Sequence, residues 1–292
     1  MKVITKIAEM QKEADQLRIQ EKKISLVPTM GYLHEGHLSL VREARARSDV
    51  VVMSIFVNPS QFGPSEDFKD YPRDFNHDVE LARSAGCDII FYPDAQEVYP
   101  EPYLTYVEVE RLTKVLCGVS RPTHFRGVTT IVAKLFNIVK PQLAVFGQKD
   151  AQQAIVIKRM VKDLNYDIEI IVAPIIREKD GLAMSSRNTY LTKAQRIQAT
   201  VLYQSLMVAK KMIDAGERKA TIIKKRMRDL IEQQPDAIVD YIEIVDTTTL
   251  ESQTALNGEV LIALAVKVGK PRLIDNIIVR VLERTINTES LK

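Results

Sequence analysis

Residues 28–37 of the chain are Pro28-Thr29-Met30-Gly31-Tyr32-Leu33-His34-Glu35-Gly36-His37. The stretch follows a short apolar run at residues 24–27 and precedes an amphipathic segment that begins at Leu38. The change from continuous to periodic apolar positions predicts a buried strand, a tight turn and the start of a helix. Strand, turn and helix in this order are the unit from which α/β folds are built.

Two histidines would lie in the first turn of that helix. His34 and His37 are three residues apart, so their imidazoles point the same way. Gly31 and Gly36 allow a ligand to approach the backbone closely. The free N–H groups and the dipole of a helix start favour phosphate, and imidazoles can donate hydrogen bonds to it or carry positive charge there. The stretch therefore predicts a site for the phosphates of a nucleotide.

Two other interpretations of the histidine pair remain open on these residues alone. A zinc site would need further ligands, and neither His77 nor His124 forms a pair with a cysteine at zinc-ligand spacing. The histidines could also lie on the surface of an ordinary helix, because patterns of four residues recur by chance.

Composition indicates a globular protein without a strongly charged or membrane-spanning part. The 292 residues suit two compact domains or one large one, and the net charge of +3 is not typical of a polyanion-binding protein. The N-terminus has no secretory signal, and the longest strongly apolar run, residues 50–57, is too short to span a bilayer. Two cysteines indicate a reducing compartment. We expect a cytoplasmic protein with no membrane partner.

Strands and helices alternate through the first two-thirds of the chain. Predicted strands lie at residues 24–27, 50–57, 88–92, 143–146 and 167–172, and predicted helices at 5–22, 38–47, 74–85, 129–139 and 151–164. Runs that are apolar at every position are typical of parallel strands covered on both faces. We predict a doubly wound parallel α/β sheet for a first domain, residues 1–184.

The pattern changes near residue 185. Two helical segments, 193–215 and 220–233, precede three strand-like runs at 239–245, 260–268 and 272–279, which predicts a smaller α+β domain over residues 185–292. The second helical segment carries a basic cluster that consists of Lys219, Lys224, Lys225, Arg226 and Arg228. Acidic residues follow directly and no aromatic residues interleave, so a solvated helix face is favoured over a nucleic-acid contact.

Ligands of open α/β sheets bind where loops leave the carboxyl ends of the strands. Four loops occupy this position: the histidine turn, residues 58–63, residues 147–153 and residues 184–188. In the third loop, Lys149 can balance phosphate charge, and Asp150 can hold a magnesium ion directly or through water. An N-terminal helix cap beside an exposed lysine is the structural alternative.

The other loops also carry groups that bind small polar ligands. Ser185, Ser186 and Arg187 supply two hydroxyls and a guanidinium suited to phosphate, although a capped turn would explain them too. Gln61 and Gln153 carry amides suited to hydroxyl and carboxylate groups. The segment 121–127 adds three cationic or titratable side chains in a stretch that we expect to be irregular and to face an anion or form structural salt bridges.

Several common nucleotide and hydrolase motifs are absent from the sequence. There is no Gly-x-Gly, no Gly-x-x-x-x-Gly-Lys-Ser/Thr and no Gly-x-Ser-x-Gly. The remaining groups, histidines, a lysine and a Ser-Ser-Arg loop, suit attack of a substrate on the α-phosphate of ATP. Their positive charge and hydrogen-bond donors would stabilise the phosphates as pyrophosphate leaves.

Five segments together resemble the pantothenate synthetase (pantoate–β-alanine ligase) family. They are Pro28 to His37, Asn58-Pro59-x-Gln61-Phe62, Arg121-Pro122-Thr123-His124-Phe125-x-Gly127-Val128, Phe146-Gly147-x-Lys149-Asp150-x-Gln152-Gln153 and Arg177-Glu178-x-Asp180-Gly181-Leu182-Ala183-Met184-Ser185-Ser186-Arg187-Asn188. The segments occur in the family's order and cover the first domain from end to end.

The resemblance implies a Rossmann-like nucleotidyltransferase domain with a C-terminal lid domain. It implies a cytoplasmic, homodimeric ligase that uses ATP and Mg²⁺ to join pantoate to β-alanine through a pantoyl-adenylate, with no nucleic-acid partner. Its implied catalytic residues are His37 as general acid, with His34 and Lys149 on the phosphates. Asp150 would assist the magnesium ion.

The resemblance also implies the binding residues. Those implied for ATP are Met30, Gly31, Tyr32, Leu33, His34, Glu35, Gly36, His37, Gly147, Gln148, Lys149, Asp150, Ile176, Met184, Ser185, Ser186 and Arg187. Those implied for pantoate or β-alanine are Gln61, Gln153 and Asn58. Position 148 is glutamine where many relatives have glutamate, which leaves one carboxylate fewer near the metal.

Two other functions remain possible on the sequence alone. The histidine turn is shared with class I aminoacyl-tRNA synthetases and small nucleotidylyltransferases. A tRNA synthetase needs an RNA-binding body, for which residues 185–292 leave little room. A nucleotidylyltransferase acting on a phosphorylated acceptor is the main alternative, and a non-catalytic nucleotide-binding module is a third.

Overall fold

The structure, a computed structural model, describes residues 1–64 and 66–281. The chain divides into two compact units, each described here by itself. The first contains residues 1–179 and 183–189, and the second contains residues 180–182 and the chain from Tyr190 onward.

The first unit alternates strands and helices from its N-terminus. Its strands are β1 (Lys2–Ile4), β2 (Ile24–Thr29), β3 (Val50–Ile55), β4 (Ile89–Phe91), β5 (Leu143–Gly147) and β6 (Glu169–Ala173). Its helices are α1 (Ile7–Ile19), α2 (Glu35–Arg45), α3 (Phe75–Ser84), α4 (Ala95–Val98), α5 (Cys117–Ser120), α6 (His124–Val139) and α7 (Ala151–Asp163). Short 3-10 turns lie at Pro59–Gln61, Gln148–Asp150 and Ser186–Tyr190.

The six strands form one parallel sheet in the order β1-β4-β3-β2-β5-β6. The predicted fold class is therefore confirmed. The chain passes from β2 to β3 and β4 on one side, then returns to place β5 and β6 on the other side. Such a reversal opens a crevice at the carboxyl ends of the central strands, where ligands of these sheets bind.

Burial explains the continuous apolar runs. Val51, Met53 and Ile55 of β3 pack in one core cluster with Leu40 and Val41 of α2, and all five side chains are buried. Helices on both faces leave no strand face for water, so alternation between polar and apolar positions is lost.

Two helix predictions differ from the structure. Helix α6 begins at His124, so residues 124–127, the larger part of the segment 121–127 that was expected to be irregular, are helical. The first turn of this helix is mostly polar, so the helical spacing of apolar residues can be recognised in the sequence only from Val128 onward. The predicted helix 193–215 is interrupted at residues 199–200, where one helix ends and another begins.

The second unit is a small α+β structure, as predicted. Helices α8 (Lys193–Gln198), α9 (Val201–Asp214) and α10 (Ala220–Ile231) precede an antiparallel sheet of β7 (Ala237–Asp246), β8 (Gly258–Val268) and β9 (Arg272–Val281). The basic cluster on α10 is balanced locally, because Lys224, Lys225 and Arg228 form ion pairs with Glu243, Asp229 and Glu232. Among the helices of the described residues, none combines the length and apolar composition that a membrane crossing requires.

Candidate active site

One open cavity of about 220 Å³ lies at the carboxyl ends of β2, β3 and β5. Fourteen of the residues expected in the site line it: Met30, His34, Gly36, His37, Gln61, Gly147, Lys149, Asp150, Gln153, Ile176, Met184, Ser185, Ser186 and Arg187. Segments far apart in sequence meet here because parallel strands bring their following loops to the same edge of the sheet.

The two histidines form the cap of α2. The Nδ1 atom of His34 accepts a hydrogen bond from the Gly36 N–H at 3.1 Å, and Nδ1 of His37 accepts one from the His34 N–H at 3.3 Å. This reciprocal arrangement is a capping box in which imidazoles replace the usual hydroxyl and carboxylate. Because both Nδ1 atoms accept, the proton of each neutral ring lies on Nε2, so each ring can donate to a ligand.

Both imidazoles are neutral at pH 7 in the free protein. Burial, followed by the positive charge of Lys149, lowers the pKa of His34 from 6.5 to about 4. Burial also lowers the pKa of His37 well below 6.5, with His34 and Lys149 acting in the same direction. The sequence allowed the histidines either to donate hydrogen bonds or to carry positive charge. In the ligand-free site both imidazoles are hydrogen-bond donors, and Lys149 is a cationic side chain beside them.

The histidine turn is held in place by a residue that the sequence analysis missed. Asp78 of α3 is 1% exposed and accepts hydrogen bonds from the N–H groups of Tyr32 (2.9 Å) and Leu33 (2.6 Å). Gly31 and Tyr32 have φ angles of +80° and +50°, which this pair of hydrogen bonds stabilises. A single aspartate within a polar helix gives no sequence signal that separates it from solvated neighbours.

Gln61 reaches the cavity with a fixed amide orientation. Its Oε1 accepts a hydrogen bond from Asn58 Nδ2 at 2.8 Å, so its Nε2 donors remain for a ligand. Asn58 itself is 0% exposed, does not line the cavity, and also binds the Gly127 carbonyl and the Tyr99 hydroxyl. The structure thus places Asn58 behind Gln61, as its support.

Two adjacent glutamines at the start of α7 point in different directions. Gln152 is buried and binds the backbone of Leu112, Val115 and Cys117. Gln153 lines the cavity next to the 3-10 turn that carries Lys149 and Asp150. One glutamine therefore serves the fold and the other faces the site.

Two guanidiniums at the cavity are paired with carboxylates of one loop. Arg187 donates to both oxygens of Asp67 at 2.9 Å, and Arg121 binds both oxygens of Glu66. Burial lowers the pKa of Arg187, but Asp67 outweighs this effect and raises it overall. Both cations are thus held rigidly at the cavity wall.

His124 is a further cavity residue that is neutral at pH 7. Burial, followed by the charge of Arg121, lowers its pKa from 6.5 to about 4. Arg121 donates to its Nε2 and its Nδ1 donates to the Gln61 carbonyl at 3.0 Å. His124 therefore connects Arg121 to the loop that carries Gln61.

An apolar wall completes the cavity. It consists of Phe56 after β3 and Val128, Ile131, Val132 and Leu135 of α6. These residues could not be found from the sequence, because apolar positions on a helix look the same whether they face a core or a ligand.

The other residues implied for ATP lie beside the cavity without lining it. They are Gly31, Tyr32, Leu33, Glu35 and Gln148. Glu35 forms an ion pair with Arg42 of the same helix, and Leu33 is buried in the core. The described ranges contain no group of three or more histidine, cysteine, aspartate or glutamate side chains suited to a metal ion.

The fold and the cavity are those of an α/β protein with a ligand site at the carboxyl edge of a parallel sheet. A family model described as pantoate-beta-alanine ligase matches residues 2–278. The chain therefore belongs to the pantoate–β-alanine ligase family.

Individual relatives agree with this assignment. Pantothenate synthetase of Caldicellulosiruptor bescii is 56% identical over 279 residues, which cover 96% of this chain and 99% of the relative. The enzyme of Acetivibrio thermocellus is 57% identical over 281 residues, 96% of this chain and all of the relative.

Two solved structures are similar over nearly their whole length. Pantothenate synthetase of Thermus thermophilus has a TM-score of 0.90 at 41% identity, covering 95% of this chain and 99% of that one. Pantoate-beta-alanine ligase of Francisella tularensis, described as complexed with Beta-gamma ATP and beta-alanine, has a TM-score of 0.78 at 34% identity. The match covers 95% of this chain and 97% of that one.

Proposed function

We propose that this protein joins pantoate to β-alanine at the expense of ATP, in two steps. The pantoate carboxylate attacks the α-phosphate of ATP, which forms pantoyl-adenylate and releases pyrophosphate. The β-alanine amine then attacks the acyl carbon and releases AMP. One observation carries the proposal: a single cavity combines His34, His37 and Lys149 with the amides of Gln61 and Gln153 and an apolar wall.

The first step needs donors on the phosphates. His34 and His37 present Nε2–H groups whose direction is set by the helix cap, and Lys149 supplies an ammonium. Donors that are oriented before the reaction stabilise developing charge without reorganisation. We assign His37 as the general acid in its imidazolium form, which the negative charge of bound ATP favours by raising the pKa of the ring and from which pyrophosphate takes the proton as it leaves. Ser185, Ser186 and Arg187 are further phosphate ligands.

Pantoate has an α-hydroxy acid end and a dimethyl-substituted carbon. The Nε2 donors of Gln61 suit its oxygens, and Val128, Ile131 and Val132 of α6 suit its methyl groups. Gln153 would bind the acid from the opposite side of the sheet crevice, at the start of α7.

Magnesium fits the site as an ion held mainly by ATP. Mg²⁺ keeps several waters and is usually bound by one or two carboxylates together with substrate phosphates. Asp150 offers one half-exposed carboxylate at the cavity, 3.8 Å from Lys149 Nζ. When bound, the ion would neutralise phosphate charge.

The amine attack needs no enzyme nucleophile. Pantoyl-adenylate is a mixed anhydride, so its carbonyl carbon is already activated. The protein has to position an unprotonated amine and exclude water, and a lid role for residues 185–292 would serve the second purpose.

Isotope exchange between ATP and pyrophosphate tests the function. We expect exchange with pantoate in the absence of β-alanine, because adenylation of the acid is reversible. A nucleotidylyltransferase would need a phosphorylated acceptor for exchange, and a binding module would show none. Either of these outcomes would overturn the proposal.

We further propose a cytoplasmic homodimer. The first unit exposes the apolar side chains Leu104 and Val119, 83% and 71% exposed, together with Tyr106. Multi-angle light scattering should give a mass near twice 33.1 kDa, and the mass of a single chain would contradict the homodimer.

A further inference from the structure

Ser54 carries a buried hydroxyl that lacks a partner. It lies at the penultimate position of β3, is 1% exposed, and its Oγ has no hydrogen-bond partner in the described part of the chain. Buried polar atoms are normally satisfied, so an exception calls for an explanation.

The sheet satisfies a comparable hydroxyl close by. Ser25 of β2 is 0% exposed, donates to the Val50 carbonyl at 3.3 Å and accepts from Ser48 Oγ at 2.8 Å. The backbone carbonyl of Ser54 is also used, since it accepts from Thr29 Oγ1 at 2.8 Å. At Ser54 it is therefore the side-chain hydroxyl, and not the backbone carbonyl, that lacks a hydrogen-bond partner among the described residues.

The Ser54 side chain faces the cavity. Side chains alternate along a strand, and Val51, Met53 and Ile55 point into the core beside α2. Ser54 therefore points to the other face of the sheet, where it lines the same cavity as Gln61 and Phe56.

The cavity that Ser54 lines has an apolar part as well as its phosphate-binding groups. Phe56 and the α6 residues Val128, Ile131 and Val132 contribute apolar surface to this cavity. A lone hydroxyl near apolar surface matches a ligand that carries its own hydroxyl next to a branched alkyl group, because two hydroxyls can each donate and accept.

We propose that Ser54 Oγ forms a hydrogen bond with a hydroxyl group of the branched hydroxy acid and thereby determines acid specificity. The inference rests on the proposed function. An acid without that hydroxyl would leave Ser54 buried and unpaired, which is how sites built to bind a hydroxyl reject deoxy analogues.

Ser54→Ala and the control Ser25→Ala test the proposal. The assay is pyrophosphate exchange with pantoate, 2-hydroxy-3,3-dimethylbutanoate and 4-hydroxy-3,3-dimethylbutanoate, which lack one hydroxyl or the other. Ser54→Ala should raise the KM for pantoate about three- to tenfold, with the KM for ATP unchanged. For the analogue that lacks the hydroxyl bound by Ser54, the KM in pyrophosphate exchange should be the same in the variant and the wild type.

Stability measurements separate this role from a structural one. Ser54→Ala removes an unpaired hydroxyl, so its thermal unfolding temperature should equal or exceed that of the wild type. Ser25→Ala should unfold earlier while its pantoate KM stays unchanged. Two results would refute the role of Ser54 but leave the proposed function standing. One is a pantoate KM in Ser54→Ala within twofold of wild type, and the other is an equal loss of exchange activity for pantoate and both analogues. No exchange with pantoate in the wild type would overturn the proposed function as well.

Discussion

Hydrogen bonding gives His34 and His37 a defined role that their sequence spacing leaves open. Each Nδ1 accepts a backbone N–H, and burial keeps both rings neutral. Two donors and the Lys149 ammonium then face the same cavity. An approaching polyphosphate would favour protonation of the rings, because negative charge raises the pKa of an imidazole.

Removing one of these groups should reduce catalysis without affecting the fold. We expect His37→Ala or Lys149→Ala to slow pyrophosphate exchange about a hundredfold or more, since each loses a preorganised donor to the phosphates. Matched controls are His77→Ala and Lys158→Ala, whose side chains are exposed on α3 and α7. Exchange within about threefold of wild type in a variant with unchanged circular dichroism would contradict the assignment.

The buried histidines also predict how stability depends on pH. His34 and His124 have pKa values of about 4 in the folded protein, against 6.5 as the ordinary value. Between these values the unfolded chain binds more protons, so the free energy of unfolding rises with pH. The stability that the neutral state of these two histidines contributes is complete above about pH 6.5 and is lost as the pH falls toward 4.

Urea unfolding from about pH 4.5 to 8 checks this dependence. In His124→Gln, the slope of the unfolding free energy below about pH 6.5 should decrease by up to about 1.4 kcal/mol per pH unit. The exposed His77→Gln is the control. Parallel curves for His124→Gln and wild type would show that His124 is protonated alike in both states.

Helix α6 fixes the position of the Pro59–Gln61 turn and therefore of the Gln61 amide. Gly127 lies in its first turns, where a Cβ atom would approach the Ser60 carbonyl oxygen to 2.3 Å and the Gln61 nitrogen to 2.8 Å. The helix can therefore approach the Pro59–Gln61 turn closely only because residue 127 has no side chain. Asn58 bridges the same contact through its hydrogen bond to the Gly127 carbonyl.

Gly127→Ala should displace Gln61 by a steric route. We expect a loss of stability of about 1–3 kcal/mol from the overpacked contact, together with weaker pantoate binding in calorimetry and nearly unchanged ATP binding. Gly63→Ala is the control, because its Cβ would contact only Glu66 at an ordinary 3.5 Å. Equal effects of the two substitutions would contradict the role of this helix contact.

In the proposed reaction, ATP activates the acid as an adenylate, so the protein as a whole needs no covalent enzyme intermediate. Cys87 is buried, its thiol donates a hydrogen bond to the Ile89 carbonyl, and burial raises the pKa of the thiol to about 11. Cys117 does not line the cavity. Neither thiol is placed to accept an acyl group from pantoyl-adenylate.

Cys87→Ser and Cys117→Ser should therefore retain activity within about twofold, because pantoyl-adenylate is itself the activated species. Pyrophosphate exchange and β-alanine-dependent AMP release measure the two steps separately. If a serine variant kept the exchange but lost AMP release, an acyl-thioester step would be required and the mechanism would be wrong.

The order of apolar runs along the chain was sufficient to predict five of the six parallel strands and the small α+β unit. The edge strand β1 was missed, because three residues are too few to stand out as an apolar run. The same order of runs also predicted that four loops gather at one edge of the sheet, since this follows from strand direction alone. Which neighbouring side chain faces the cavity was decided only in the folded protein, as Gln152 and Gln153 illustrate. The protonation of the histidines, the support by Asp78 and Asn58 and the unpaired Ser54 hydroxyl were likewise decided there. The physical reason is that direction, burial and hydrogen-bond partners depend on residues far along the chain, which local patterns do not contain.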